Sequence, residues 1–239
     1  MRRPGVVTAS PKDWVALLKV TYQSLLDQGI GNPLLFGSQA MSFYMGNPLR
    51  SKDLDFVTDQ FGPNSLDALI KVLSEQRPAG AEVITTNVHT RFFDRSKMRT
   101  YSVEMRIRRR GFFLEIFDAV LDGRPPSVLT PYVQHGKRWG VGLWVPSREA
   151  VLSLRLCFRQ PEGINRLNAS RLNRFIEDNK AKIKNREVGE IIVAWGQADL
   201  VRKNLEQLEH VHRQKIIGQQ EILDAVRSAE QGSNGTPSR

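Results

Sequence analysis

Cysteine is almost absent from this 239-residue chain, and the single Cys157 excludes an intrachain disulfide framework and a cysteine-based zinc site. Cys157 sits in the apolar run from Val151 to Phe158, where a buried thiol is expected rather than a nucleophile. Long hydrophobic runs are missing too: no stretch approaches the roughly 18 apolar residues of a membrane span. The opening residues Met1 to Gly5 lack the apolar core of a signal peptide, so a cytoplasmic protein with no membrane partner is expected. Histidine is scarce, and His89, His135, His210 and His212 show no metal-ligand spacing. Acidic residues are the minority, 25 against 35 Lys plus Arg, which leaves a formal charge of +10 and points to polyanionic partners. No internal repeat is visible.

Against that background one local pattern stands out. Leu34 to Phe36 reads as a short buried strand, Gly37-Ser38 as a turn, and Ser38 to Met45 as a helix closed by Gly46. The segment Asp53-Leu54-Asp55-Phe56 follows. In a strand, alternate side chains share a face, so Asp53 and Asp55 fall together while Leu54 and Phe56 can bury opposite. Their Cα atoms then lie about 6.5–7 Å apart, a spacing able to bracket a divalent cation. Gly37 and Ser38, at a helix N-terminus, offer free N–H groups and a hydroxyl suited to phosphate. A surface hairpin with Asp53 before a turn and Asp55 solvated would explain each carboxylate separately, but not the ensemble.

The run Gly37, Ser38, Ala40, Gly46, Ser51, Asp53, Asp55 and Phe56 resembles the signature of the nucleotidyltransferase superfamily, with its DNA polymerase β-like fold. It is most similar to the branch holding toxins of abortive-infection type toxin-antitoxin systems. The resemblance implies a third carboxylate from a later strand. Glu115, between Leu114 and Ile116, is the best match, with Asp118 as runner-up; a solvent-facing Glu115 and a turn-starting Asp118 are the plain alternatives. It further implies Mg²⁺ or Mn²⁺ held by Asp53, Asp55 and Glu115, a nucleoside triphosphate as substrate, and transfer of a nucleoside monophosphate to a hydroxyl. Gly37 and Ser38 would then contact the phosphates, and Arg155, on a later helix, would face the nucleotide. A basic-acidic motif is expected next; Arg166 fits the basic position, but Asn168 stands near where the acidic residue belongs.

The basic excess is densest at Arg91, Arg95, Lys97, Arg99, Arg106 and Arg108 to Arg110, interleaved with Phe92, Phe93 and Tyr101. Guanidinium groups fork onto phosphates and aromatic faces stack bases, so the stretch reads either as a nucleic-acid track or as a solvated hairpin with core aromatics. The basic excess is compatible with many acceptors; among them RNA is preferred over protein or a small molecule. A non-catalytic nucleic-acid binder and a toxin-antitoxin partner protein on a degenerate version of the fold are the alternatives.

Helical and strand-like segments alternate up to residue 145, with strands read over 81–88, 103–108 and 112–117, which gives an α+β class with a mixed sheet and flanking helices. The organisation expected is a nucleotidyltransferase-like domain over 1–145, a helical region over 146–231 opening with Ser147 as N-cap, and a disordered tail over 232–239. Trp195, Ala198, Val201, Leu205, Leu208 and Val211 form an apolar stripe. It packs on the chain's own core, or serves a homodimer or partner protein through residues 189–231.

Overall fold

Ser10 opens the first helix by accepting a hydrogen bond from the Asp13 N–H, with Pro11 preset for the first helical position. In the computed structural model, which describes residues 9–93, 96–107, 110–157 and 166–234, this helix is α1 (Pro11–Asp27). Trp14, Leu17, Leu18 and Leu25 line its buried stripe, and the Trp14 indole N–H donates to the Leu49 carbonyl at 3.1 Å. The chain divides into two compact units, Met1–Phe43 with Asn47–Pro146, and Tyr44–Gly46 with Ser147–Arg239.

The first unit is built on a seven-stranded mixed sheet. In chain order its elements are β1 (Leu34–Leu35), α2 (Gly37–Phe43), β2 (Asp53–Val57), α3 (Pro63–Gln76), β3 (Glu82–Phe93), β4 (Ser96–Ile107), β5 (Arg110–Phe117), β6 (Val133–Arg138) and β7 (Val141–Pro146). The spatial order is β3-β4-β5-β2-β1-β7-β6. β2 runs parallel to β5, β1 runs antiparallel to β2 and parallel to β7, and the β3–β4, β4–β5 and β6–β7 pairs are antiparallel.

Alternation along the central strands explains the core. Leu54 and Phe56 on β2, Leu114 and Ile116 on β5, and Tyr101, Val103, Met105 and Ile107 on β4 are all buried together with α1 and α3. Tyr22 of α1 lies over Phe56, and Phe61 meets Tyr101 edge-on with centroids 5.1 Å apart. The opposite face of β2 and β5 is left for Asp53, Asp55 and Glu115.

The strands differ from the sequence reading mainly in length. The expected strand over 81–88 extends through Phe93, and the one over 103–108 begins at Ser96, so the basic stretch is a long antiparallel ribbon. Alternating polar residues on its exposed side hide that ribbon from a hydrophobic count. Tyr101 is 2% exposed and packed in the core, so it cannot stack a base. Arg99 is held through its N–H and Nε by both oxygens of Asp118, at 2.6 and 2.9 Å. Phe92, at 77% exposed, remains the accessible aromatic of the three named in that stretch. Arg95, Arg108 and Arg109 lie outside the described residues.

The second unit is helical: α4 (Arg148–Leu156), α5 (Arg166–Asn179), α6 (Asn185–Ala194), α7 (Ala198–His212) and α8 (Gln219–Asn234). Ser147 caps α4 by accepting from the Ala150 N–H. Buried Asn204 of α7 donates to the Leu156 carbonyl at 2.8 Å, closing the C-terminal end of α4. The apolar stripe is buried within this unit at Trp195, Ala198, Val201, Leu205 and Leu208, while Val211 is exposed. Cys157 is buried, as its apolar neighbours suggest. α8 continues through Gly232, Ser233 and Asn234, residues read from the sequence as the start of a disordered tail; 235–239 lie outside the described residues. No helix among the described residues is long and apolar enough to cross a membrane.

Gly189, inside α6, lies directly against the backbone of α8: a methyl group there would lie 2.5 Å from the Ala225 carbonyl carbon. A mid-helix Gly→Ala exchange ordinarily gains up to about 1 kcal/mol of helix propensity. Here the obstacle is backbone, which cannot swing aside, and overpacking costs about 1–3 kcal/mol. Gly189→Ala is expected to destabilise the helical unit, read as a lower denaturation midpoint by circular dichroism; an unchanged or raised midpoint would contradict this packing.

Candidate metal centre

Register brings the carboxylates together. β2 and β5 pair in parallel with Asp55 opposite Glu115 and Asp53 opposite Phe113. Asp53, Asp55 and Glu115 each offer an oxygen within 4.8 Å of the others, all half-buried. Phe113 and Phe117 flank Glu115 on its face, and Phe117 meets Phe36 with ring centroids 6.2 Å apart.

The turn after β1 is shaped to Asp55. Phe36 N–H donates to the Asp55 carbonyl at 2.9 Å, which ties the end of β1 to β2. Gly37 follows with φ +60°, a left-handed conformation that glycine adopts without a Cβ penalty. A methyl group on Gly37 would collide with Asp55 Oδ2 and lie 2.8 Å from its Cγ. Glycine is thus required twice over, by the backbone and by the carboxylate beside it.

Ser38 is 3% exposed, and its hydroxyl stands 2.8 Å from that of Ser51. Ser51 Oγ in turn donates to Asp53 Oδ1 at 2.7 Å. A hydroxyl has one proton to give, so Ser51 gives its own to Asp53 and Ser38 donates to Ser51. This two-serine relay orients Asp53. The Ser38 hydroxyl, which the sequence reading offers to phosphate, here meets the Ser51 hydroxyl across 13 residues of chain and through it reaches Asp53. Gln39, fully buried, donates its amide to the Asp53 carbonyl and holds the strand from below. No spacing rule singles out such a glutamine, and its role was not visible in the sequence.

Burial first, and then the charge of Asp53, push the Glu115 pKa above the usual carboxylate value; Lys52 and His89 pull weakly the other way. Three carboxylates crowded in a half-buried pocket repel one another unless a cation or proton intervenes. Their all-oxygen donor set fits a hard divalent ion such as Mg²⁺ or Mn²⁺. Asp118, the runner-up, is outside this cluster and engaged by Arg99. Arg155 lies half-buried in the last turn of α4 in the helical unit. Asn168 is in α5, and the side chain of Arg166 is not among those described.

No family model and no curated protein matches the chain. Solved structures do. A candidate nucleotidyltransferase from H. pylori is similar over 97% of this chain and 100% of that one, at 15% identity and a TM-score of 0.51. The antibiotic-resistance factor ANT(2'')-Ia gives 84% and 97% coverage, 14% identity and a TM-score of 0.47. A candidate nucleotidyltransferase from Thermotoga maritima gives 60% and 83%, 21% identity and 0.38. The first of these likenesses, spanning both chains, shows the architecture: this protein has the nucleotidyltransferase fold, and its carboxylate cluster is a candidate metal site within it.

The raised Glu115 pKa fixes a pH dependence. Folded Glu115 keeps its proton to higher pH than the unfolded chain does, so the stability it contributes is present at low pH and is lost as pH rises through the raised value. In chelator, Glu115→Gln is expected to melt higher than wild type at neutral pH, with the gap closing in acid. Added Mn²⁺ should reverse the order by stabilising wild type more. A variant that is less stable than wild type in chelator at pH 7 would contradict the crowding. Gly37→Ala should lose the Mn²⁺ stabilisation while its far-ultraviolet circular dichroism stays native.

Proposed function

We propose that the protein is a metal-dependent nucleotidyltransferase that moves a nucleoside monophosphate from a nucleoside triphosphate to a hydroxyl acceptor, with pyrophosphate leaving. The observation that carries this reading is the convergence of Asp53, Asp55 and Glu115 within 4.8 Å, beside a glycine turn that only a residue without a side chain could form. Asp53, Asp55 and Glu115 would hold the divalent cation, Mg²⁺ or Mn²⁺. Once bound, such an ion neutralises the triphosphate and lowers the pKa of an acceptor hydroxyl.

The chain's own residues do the rest. The Ser38–Ser51 relay keeps Asp53 turned toward its neighbours, and the paired β2 and β5 backbones fix Asp55 against Glu115. Preorganisation of this kind avoids reorganisation when charge develops. Glu115 or Asp55 is placed to accept the proton of the attacking hydroxyl. The main-chain amides of the Gly37-Ser38 turn are the groups proposed to face the leaving phosphates.

RNA is the proposed acceptor. The +10 charge and the exposed Arg91, Lys97 and Arg106 of the ribbon support it through phosphate attraction. Placement in the abortive-infection toxin branch is the finer part of the proposal and rests on the motif run from Gly37 to Phe56.

The test is incubation with each α-labelled nucleoside triphosphate, Mg²⁺ or Mn²⁺, and total RNA with protein extract. Label is expected in RNA, and Asp53→Ala/Asp55→Ala should reduce it about a hundredfold or more, since a catalytic cation supplies several kcal/mol. Glu115→Ala should fall comparably, and Arg155→Ala probes the basic nucleotide contact implied by the resemblance. Label in protein or a small molecule would keep the chemistry and replace the acceptor. No label from any nucleotide, in folded protein that binds RNA, would overturn the transferase reading.

A further inference from the structure

β3 is an edge of the sheet: it pairs with β4 on one side, and no strand among the described residues pairs with the other. Edge strands present a row of backbone donors and acceptors, and soluble proteins usually guard it with charge, proline or brevity. β3 has none of these along most of its length. It runs from Glu82 to Phe93, and from Val83 to Thr90 it carries no Asp, Glu, Lys, Arg or Pro, in a chain that is 25% charged. Ile84, Val88 and Phe92 are 45%, 51% and 77% exposed, three of the five large exposed hydrophobics of the described residues. Only the register shift between Val83 and Thr85 acts as a guard, and it lies near one end.

We propose that β3 is the interface of a homodimer, pairing antiparallel with β3 of a second copy about a two-fold axis at Val88. The strand is self-complementary in that register. Val88 meets Val88, Thr86 meets Thr90 of the second copy, and Asn87 meets His89. Thr86, Val88 and Thr90 share one face, by their register with Val103, Tyr101 and Arg99, so the axis aligns an apolar contact between two threonine pairs. Arg91 falls opposite Thr85, and between Val83 and Phe93 no two like charges face each other. Moving the axis to Asn87 or His89 sets Val88 against a threonine instead. A two-fold axis of this kind makes the contact isologous and closed, which stops growth at two copies. A nucleic-acid strand is disfavoured on the same row because Val83 to Thr90 offers it no cation.

Sedimentation over a broad concentration series is expected to show wild type passing from monomer to dimer, with Val88→Lys monomeric throughout because two lysines would meet at the axis. Thr86→Lys/Thr90→Glu should still dimerise, since each lysine then faces a glutamate; Thr86→Lys/Thr90→Lys should not. Should a charged variant misfold, cysteine scanning decides. Antiparallel partners stand about 4.5–5.5 Å apart at Cα, inside the disulfide range of about 4.4–6.8 Å. Val88→Cys should therefore form an intermolecular disulfide on mild oxidation and Thr86→Cys should not, with native Cys157 buried and silent. A wild type that is monomeric at every concentration, a dimer that survives Val88→Lys, or equal cross-linking by both cysteine variants would overturn the proposal. Asp53→Ala/Asp55→Ala should dimerise like wild type, which keeps this result separate from the transferase reading.

Discussion

Mutual repulsion among Asp53, Asp55 and Glu115 is the constraint around which the first unit is arranged. Left to themselves, three carboxylates would turn outward into water. They are held inward because two of them belong to β2, paired residue for residue with the strand that carries the third. That parallel pairing leaves Leu54, Phe56, Leu114 and Ile116 on the other face, where they are buried with Tyr22 and Tyr101. Hydrophobic burial on one side of the sheet thus stabilises electrostatic crowding on the other. The same two strands do both, which is why neither face can be changed without disturbing its reverse.

Much of this was readable in the sequence because it depends on short-range geometry. Alternation placed Asp53 with Asp55, apolar flanks marked Glu115, and a glycine after an apolar triplet marked the turn at 37. The polar network was not readable, because its members are far apart in the chain. Nothing local says that Ser38 will reach Ser51, that Gln39 will turn to the Asp53 carbonyl, or that Arg99 will claim Asp118. The β3–β4 ribbon was half missed for another reason. Most of β3 is exposed and His89, Thr90 and Arg91 are polar in succession, so the period-two pattern that signals a half-buried strand fades beyond Val88.

The helical unit shows the opposite balance. Its apolar stripe was plain in the sequence, but what would cover it was not, since a stripe looks the same whether it meets its own chain or another. Here α7 is buried within its own unit, with Asn204 fastening it to the end of α4 and Gly189 letting α6 and α8 touch. Ser147, by contrast, was legible as a cap because capping is decided within one turn.

Gly37 and Asp55 form a coupled pair whose coupling is written in volume and not in charge. A side chain at 37 and a carboxylate in its observed place at 55 exclude each other. Natural variants of this chain can therefore be sorted by one position alone. A copy that carries a side chain at 37 must move either the turn or Asp55, and with it the carboxylate cluster.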